Sequence, residues 1–103
     1  MTTRRTLPAR RHAETMNFDF GGVQYVATLG YFPDGELGEV FLNTGTKLNS
    51  AADINIQDAA VAVSIALQYG CPVNTLRRAM KRNDDGSPQG ALGAALDLIG
   101  GAE

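Results

Sequence analysis

Only a few side chains in this sequence carry reactive chemistry, and their spacing limits what they can do. Cys71 is the single cysteine and His12 the single histidine, with Glu14 two residues after it. Cys71 lies between Gly70 and Pro72 at the expected start of a helix, where the dipole favours a thiolate. The competing reading is an inert thiol packed at a helix junction, since no histidine is near it in sequence and free cysteines are usually buried. His12 and Glu14 would be half of an acid–base or metal site. Zinc needs three or four ligands, so no metal site is expected. Asp34, Glu36 and Glu39 cluster around a turn, and grouped carboxylates can exchange protons or hold a hard cation. The plainer alternative is that Asp34 serves the turn while Glu36 and Glu39 line a solvated, acidic surface. Gly35-Glu36-Leu37-Gly38 leads into a strand and lacks the Lys-Ser/Thr of a phosphate-binding loop. No catalytic residue and no cofactor are therefore expected, and the chain is not expected to be an enzyme by itself.

The basic residues are more suggestive of function. Of nine Lys and Arg residues, four (Arg4, Arg5, Arg10, Arg11) lie in the first twelve positions and four (Arg77, Arg78, Lys81, Arg82) near the end. Between Ala13 and Thr46 there are five acids and no base. The candidate binding faces are Arg10 and Arg11 in the arm and Arg77, Arg78, Lys81 and Arg82 on a helix. Such groups can neutralise phosphates of nucleic acid or a nucleotide. A net charge of -2 and a pI near 5.3 weigh against that partner. Protein contact, including a homodimer in which the basic face meets the acidic sheet of a second copy, fits the same residues.

These groups must be positioned by a chain of 103 residues, 44% hydrophobic and 19% charged. That composition suits one α+β domain over 14–100, with a flexible basic arm at 1–13 and a short tail at 101–103. Met16, Phe18 and Phe20 alternate with polar residues, the period of a strand with one buried face. Gly21-Gly22 makes a hairpin turn into a second strand with Val23, Tyr25, Ala27, Leu29 and Tyr31 on one face. Pro33-Asp34-Gly35 turns the chain again, and Gly38–Asn43 supplies a third strand. Ser50 caps a long helix running to about Tyr69, apolar at nearly every position from Ala59 to Leu67 and so expected at the buried centre. Gly70 ends it. Pro72 opens a second helix with Val73, Leu76 and Met80 inward and the four bases outward, and Ser87-Pro88 would start a third packing Leu92, Ala95 and Ile99. The result is a three-stranded antiparallel meander followed by two or three helices packed on one face. With one cysteine and no long apolar run, a cytoplasmic location without membrane contact is expected.

Four blocks resemble a known family. They are Leu7-Pro8-Ala9-Arg10-Arg11, Gly21-Gly22, Asp34-Gly35-Glu36-Leu37-Gly38-Glu39-Val40-Phe41, and Val63-Ser64-Ile65-Ala66-Leu67-Gln68-Tyr69-Gly70-Cys71-Pro72. In order and approximate spacing they are similar to the TSCPD-type domain near the C-terminus of vitamin B12-dependent (class II) ribonucleotide reductases, here read as a stand-alone bacterial protein. The resemblance implies a link to deoxynucleotide and DNA synthesis. It does not bring the large catalytic barrel, and a chain with only Cys71 cannot form the redox dithiol such reductases use. Three roles remain: an accessory module acting through protein contact, a nucleic-acid or nucleotide binder, or a component acting in trans in cobalamin-dependent ribonucleotide reduction.

Overall fold

Gly21 and Gly22 adopt φ of +58° and +78°, the pair of positive values a primed two-residue turn requires. They join β1 (Ala13–Phe20) to β2 (Val23–Tyr31), with Phe20 opposite Val23 and Met16 opposite Ala27. At the next turn the Gly35 N–H donates to the Phe32 carbonyl (2.9 Å) and the Glu36 N–H donates to Asp34 Oδ1 (3.0 Å). β3 (Leu37–Thr44) then returns antiparallel to β2, so the sheet order is β1-β2-β3. This computed structural model describes residues 3–100; the tail expected at 101–103 and the first two residues of the arm lie outside the described residues. The α+β meander-then-helices architecture matches the sequence expectation.

Ser50 accepts the Asp53 N–H (3.1 Å) and starts α1 (Ala51–Gln68). Gly70, at φ +96°, ends it, and the Cys71 N–H donates back to the Ala66 carbonyl (3.0 Å), closing the left-handed terminus. Ile56, Ala60, Val63 and Leu67 are buried against Ala27, Leu29, Val40 and Leu42 of the sheet. Each large aliphatic side chain there contributes about 1.5–3 kcal/mol by leaving water.

Two helix expectations are corrected. α1 is not buried all round: Ile54, Val61 and Ile65 are exposed while the polar Asp53, Ser64 and Gln68 are buried. The cause is an edge strand that needs polar partners, described below. α2 (Val73–Ala79) is shorter than expected, because Met80 turns to extended backbone with ψ 148°. Lys81 and Arg82 therefore lie beyond the helix, in a loop where the Gln89 N–H donates to the Lys81 carbonyl (3.0 Å) and Arg82 bridges Pro88. α3 (Ala91–Gly100) begins after that loop and buries Ala95 and Leu96.

Candidate functional site

The arm expected to be flexible is laid against the domain from Arg4 onward. Its Arg5 N–H donates to the Gln68 carbonyl at the end of α1 (2.8 Å). The Arg5 guanidinium stacks 3.7 Å above the Phe32 ring and reaches Asp34 (3.0 Å) and Glu36 (3.2 Å). Arg4 Nε donates to Gln68 Oε1 (2.7 Å), and Arg11 pairs with Glu39 while also donating to the Pro8 carbonyl (2.6 Å). The basic arm and the acidic turn thus neutralise one another. Asp34 is held below the usual carboxylate range, first by the Glu36 N–H and then by Arg5. Glu39 is a buried acid lying over Gly30, whose missing side chain leaves the room it occupies.

The second basic group divides in a similar way. Asp97 on α3 accepts from Arg77 Nε (2.9 Å) and from both Arg82 terminal nitrogens (2.7 and 2.8 Å). These bonds, Arg82 first, lower the Asp97 carboxyl to about 2. Arg77 and Arg82 consequently pin α2 and the following loop to α3, and the expected face of four outward bases is reduced to Arg78 and Lys81. Arg10 is exposed and forms no ion pair among the described residues.

His12 sits 3.2 Å from Glu14 and 5.4 Å from the Tyr31 ring centroid, at an open cleft of about 450 Å³ shared with Arg10, Phe32 and Pro33. Burial, then Glu14, raises the Tyr31 pKa. His12 and Glu14 are both more than half exposed, so nothing excludes water from them, and exposed acid–base pairs lack the desolvation that tunes catalytic groups. Cys71 is half-buried and contributes its backbone to the α1 terminus.

A more distinctive arrangement joins β3 to α1. The Gly45 N–H donates to the Gln24 carbonyl (2.7 Å), which fixes the odd residues of β3 toward β2 and turns Gly38, Val40, Leu42 and Thr44 outward. Three of these four are sealed by α1. Gln68 Nε2 donates to the Gly38 carbonyl (3.0 Å). Ser64 Oγ accepts the Val40 N–H (2.8 Å) and donates to the Val40 carbonyl (3.0 Å). Asp53 accepts the Thr44 N–H (2.8 Å) and the Asn49 N–H (2.8 Å), which hold its carboxyl below the ordinary value, Thr44 foremost.

Leu42 is the exception. There the strand and helix part around a cleft of about 570 Å³ lined by Phe41, Leu42, Asn43, Leu48, Gln57 and Val61. Phe41, Leu48 and Val61 are 51%, 69% and 52% exposed. None of these three stands out in the sequence as a binding residue. Val61 lies in a helical stretch so uniformly apolar that its open side left no trace in the pattern.

Residues 2–102 match the TSCPD domain. The chain belongs to the TSCPD domain family. Among curated relatives, a vitamin B12-dependent ribonucleotide reductase of Streptantibioticus cattleyicolor is 40% identical over 73 residues, covering 70% of this chain and 12% of the reductase. The corresponding reductase of Streptomyces clavuligerus shows 40% identity over 70% of this chain and 7% of its own length. That of Bradyrhizobium diazoefficiens shows 36% over 72% of this chain and 6% of its own. The similarity spans at most an eighth of any of these three reductases. No solved structure matches the chain. Within this TSCPD domain the family-like blocks contain Arg11, Gly38, Glu39, Val40, Ser64 and Gln68, the residues that lock the arm, β3 and α1 together. Among the described residues, no helix is long and apolar enough to cross a membrane.

Proposed function

We propose that this TSCPD domain has no catalysis of its own and works as an accessory module that docks on a protein through the cleft between β3 and α1. The observation that carries this reading is the exposed apolar trio Phe41, Leu48 and Val61 around an unsealed strand position, rimmed by Asn43, Asn49 and Gln57. An aromatic and aliphatic centre within a polar rim is the anatomy of a protein interface. Charge-driven docking has less behind it, because Arg5, Arg11, Arg77 and Arg82 already pair with acids of the same chain. For the same reason nucleic-acid or nucleotide binding keeps, of the nine bases, only the five without an acidic partner among the described residues: Arg4, Arg10, Lys47, Arg78 and Lys81.

The partner proposed first is a cobalamin-dependent reductase, since the relatives carry this domain on a far larger chain. The test uses a relative's reductase from which the TSCPD segment has been deleted. Co-elution with this chain on gel filtration is the expected result, and separate elution at high micromolar concentration of both proteins ends the reading. A second reading, action in trans on ribonucleotide reduction, is favoured by those same relatives. It predicts that adding the chain restores activity to the deleted reductase, whereas binding without restored turnover leaves only the accessory role.

A further inference from the structure

The two edges of the sheet are treated differently. The β3 edge is sealed by Asp53, Ser64 and Gln68. At the other edge, the Tyr31 N–H donates to the His12 carbonyl (3.0 Å). That bond, with Ala13 opposite Gly30 and Phe20 opposite Val23, turns the even residues of β1 toward β2 and leaves Ala13, Thr15, Asn17 and Asp19 with their backbone groups pointing outward. Among the described residues, no hydrogen bond reaches those outward groups, and all four residues are exposed. β1 also contains no Pro, no Lys and no bulge, the devices that ordinarily blunt an edge strand.

We infer that β1 pairs antiparallel with β1 of a second copy across a two-fold axis at Asn17, giving a six-stranded sheet from twice the three strands of one copy. This register sets Asn17 opposite Asn17 and Thr15 opposite Asp19, so Thr15, Asn17 and Asp19 each meet an outward-facing residue and exchange hydrogen bonds with it. On the face that packs toward the helices, half-buried Met16 meets Phe18 of the other copy. Directly opposed apolar pairs of this kind stabilise a sheet. The two carboxylates of β1, Glu14 and Asp19, point to opposite faces and meet Phe20 and Thr15, so no like charges oppose one another. A foreign strand would have to supply this match of register, charge and apolar face, whereas a second copy supplies it by symmetry.

Sedimentation velocity over a concentration series, with amide hydrogen exchange on the same samples, tests the pairing. The expected result is a species of twice the chain mass at high micromolar concentration, together with slowed exchange at Thr15, Asn17 and Asp19. Asn17→Lys places two like charges at the axis on an exposed position, so it should give a single-chain mass with an unchanged circular dichroism spectrum. Thr15→Pro, which removes an outward N–H and no ladder bond, should do the same. A wild-type chain that stays single throughout, with its β1 edge left to another protein or to water, overturns the inference. So does a dimer that survives both substitutions but dissociates in Phe41→Glu, which would move the contact to the β3–α1 cleft.

Discussion

Replacing Ser64 by alanine removes one oxygen and strands two buried backbone groups. Ser64 Oγ accepts the Val40 N–H at 2.8 Å and donates to the Val40 carbonyl at 3.0 Å, and Val40 is fully buried. Water cannot replace the lost hydroxyl without opening the β3–α1 contact. An unpaired buried backbone group costs about 1–3 kcal/mol, and alanine returns about 0.5 kcal/mol through helix propensity. The net expectation for Ser64→Ala is a loss of about 1.5–5.5 kcal/mol, from a total of about 5–15 kcal/mol for a domain of this size. In thermal unfolding followed by circular dichroism this lowers Tm by about 6 °C or more. Val61→Ala, three residues earlier on the exposed side, should change stability by no more than about 0.5 kcal/mol. If Ser64→Ala also costs less than about 0.5 kcal/mol, the polar side of α1 does not seal the strand edge and the reasoning fails.

Asp97, lowered to about 2 by Arg82 and Arg77, favours the folded state at pH values above its ordinary 3.8, and that contribution disappears as the pH falls from 3.8 through about 2. Asp97→Asn should therefore be less stable than the wild type at pH 7, and the two Tm values should converge between pH 4 and 2; a constant difference across that range would contradict the clamp. Gly30→Ala puts a methyl group where the Glu39 side chain lies, so it should break the Arg11–Glu39 pair and speed tryptic cleavage after Arg10 and Arg11, whereas unchanged cleavage would mean the arm is held without that pair. Arg5→Ala removes an exposed cation–π contact of about 0.5–1 kcal/mol and two exposed ion pairs of about 0–1 kcal/mol each. Its stability loss in urea should be about 0.5–3 kcal/mol and shrink at high salt; a salt-independent loss would assign the effect to packing on Phe32 alone.

Much of the fold was legible because local chemistry and tertiary structure agree. Gly21-Gly22, Pro33-Asp34-Gly35, Ser50 and Gly70 each do in the structure what their backbone preferences suggest. Hydrophobic periodicity also found the sheet face that carries Tyr25, Ala27 and Leu29. It failed on α1, where pattern reading sends polar residues outward, whereas Asp53, Ser64 and Gln68 turn inward to meet the backbone of β3. Of the displaced apolar residues, Val61 then lines the exposed cleft together with Phe41 and Leu48. Charge grouping along the sequence misled for a related reason. Arg5 meets Asp34 and Glu36, Arg11 meets Glu39, and Arg82 meets Asp97 only after the chain has folded, so segments that look basic or acidic in isolation cancel in space. The bases left without an acidic partner among the described residues, Arg4, Arg10, Lys47, Arg78 and Lys81, could not have been told from their neighbours without those contacts.

The proposal that apolar docking, and not charge, is what this domain does is tested most directly by the affinity of the chain for a reductase lacking its own TSCPD segment, measured by calorimetry at low and high salt. Phe41→Ala or Val61→Ala should weaken binding by about tenfold or more, equivalent to about 1.4 kcal/mol, with little change between the two salts. Binding that falls steeply with salt and is lost in an Arg78→Ala, Lys81→Ala double variant, while tolerating both cleft variants, would contradict the account.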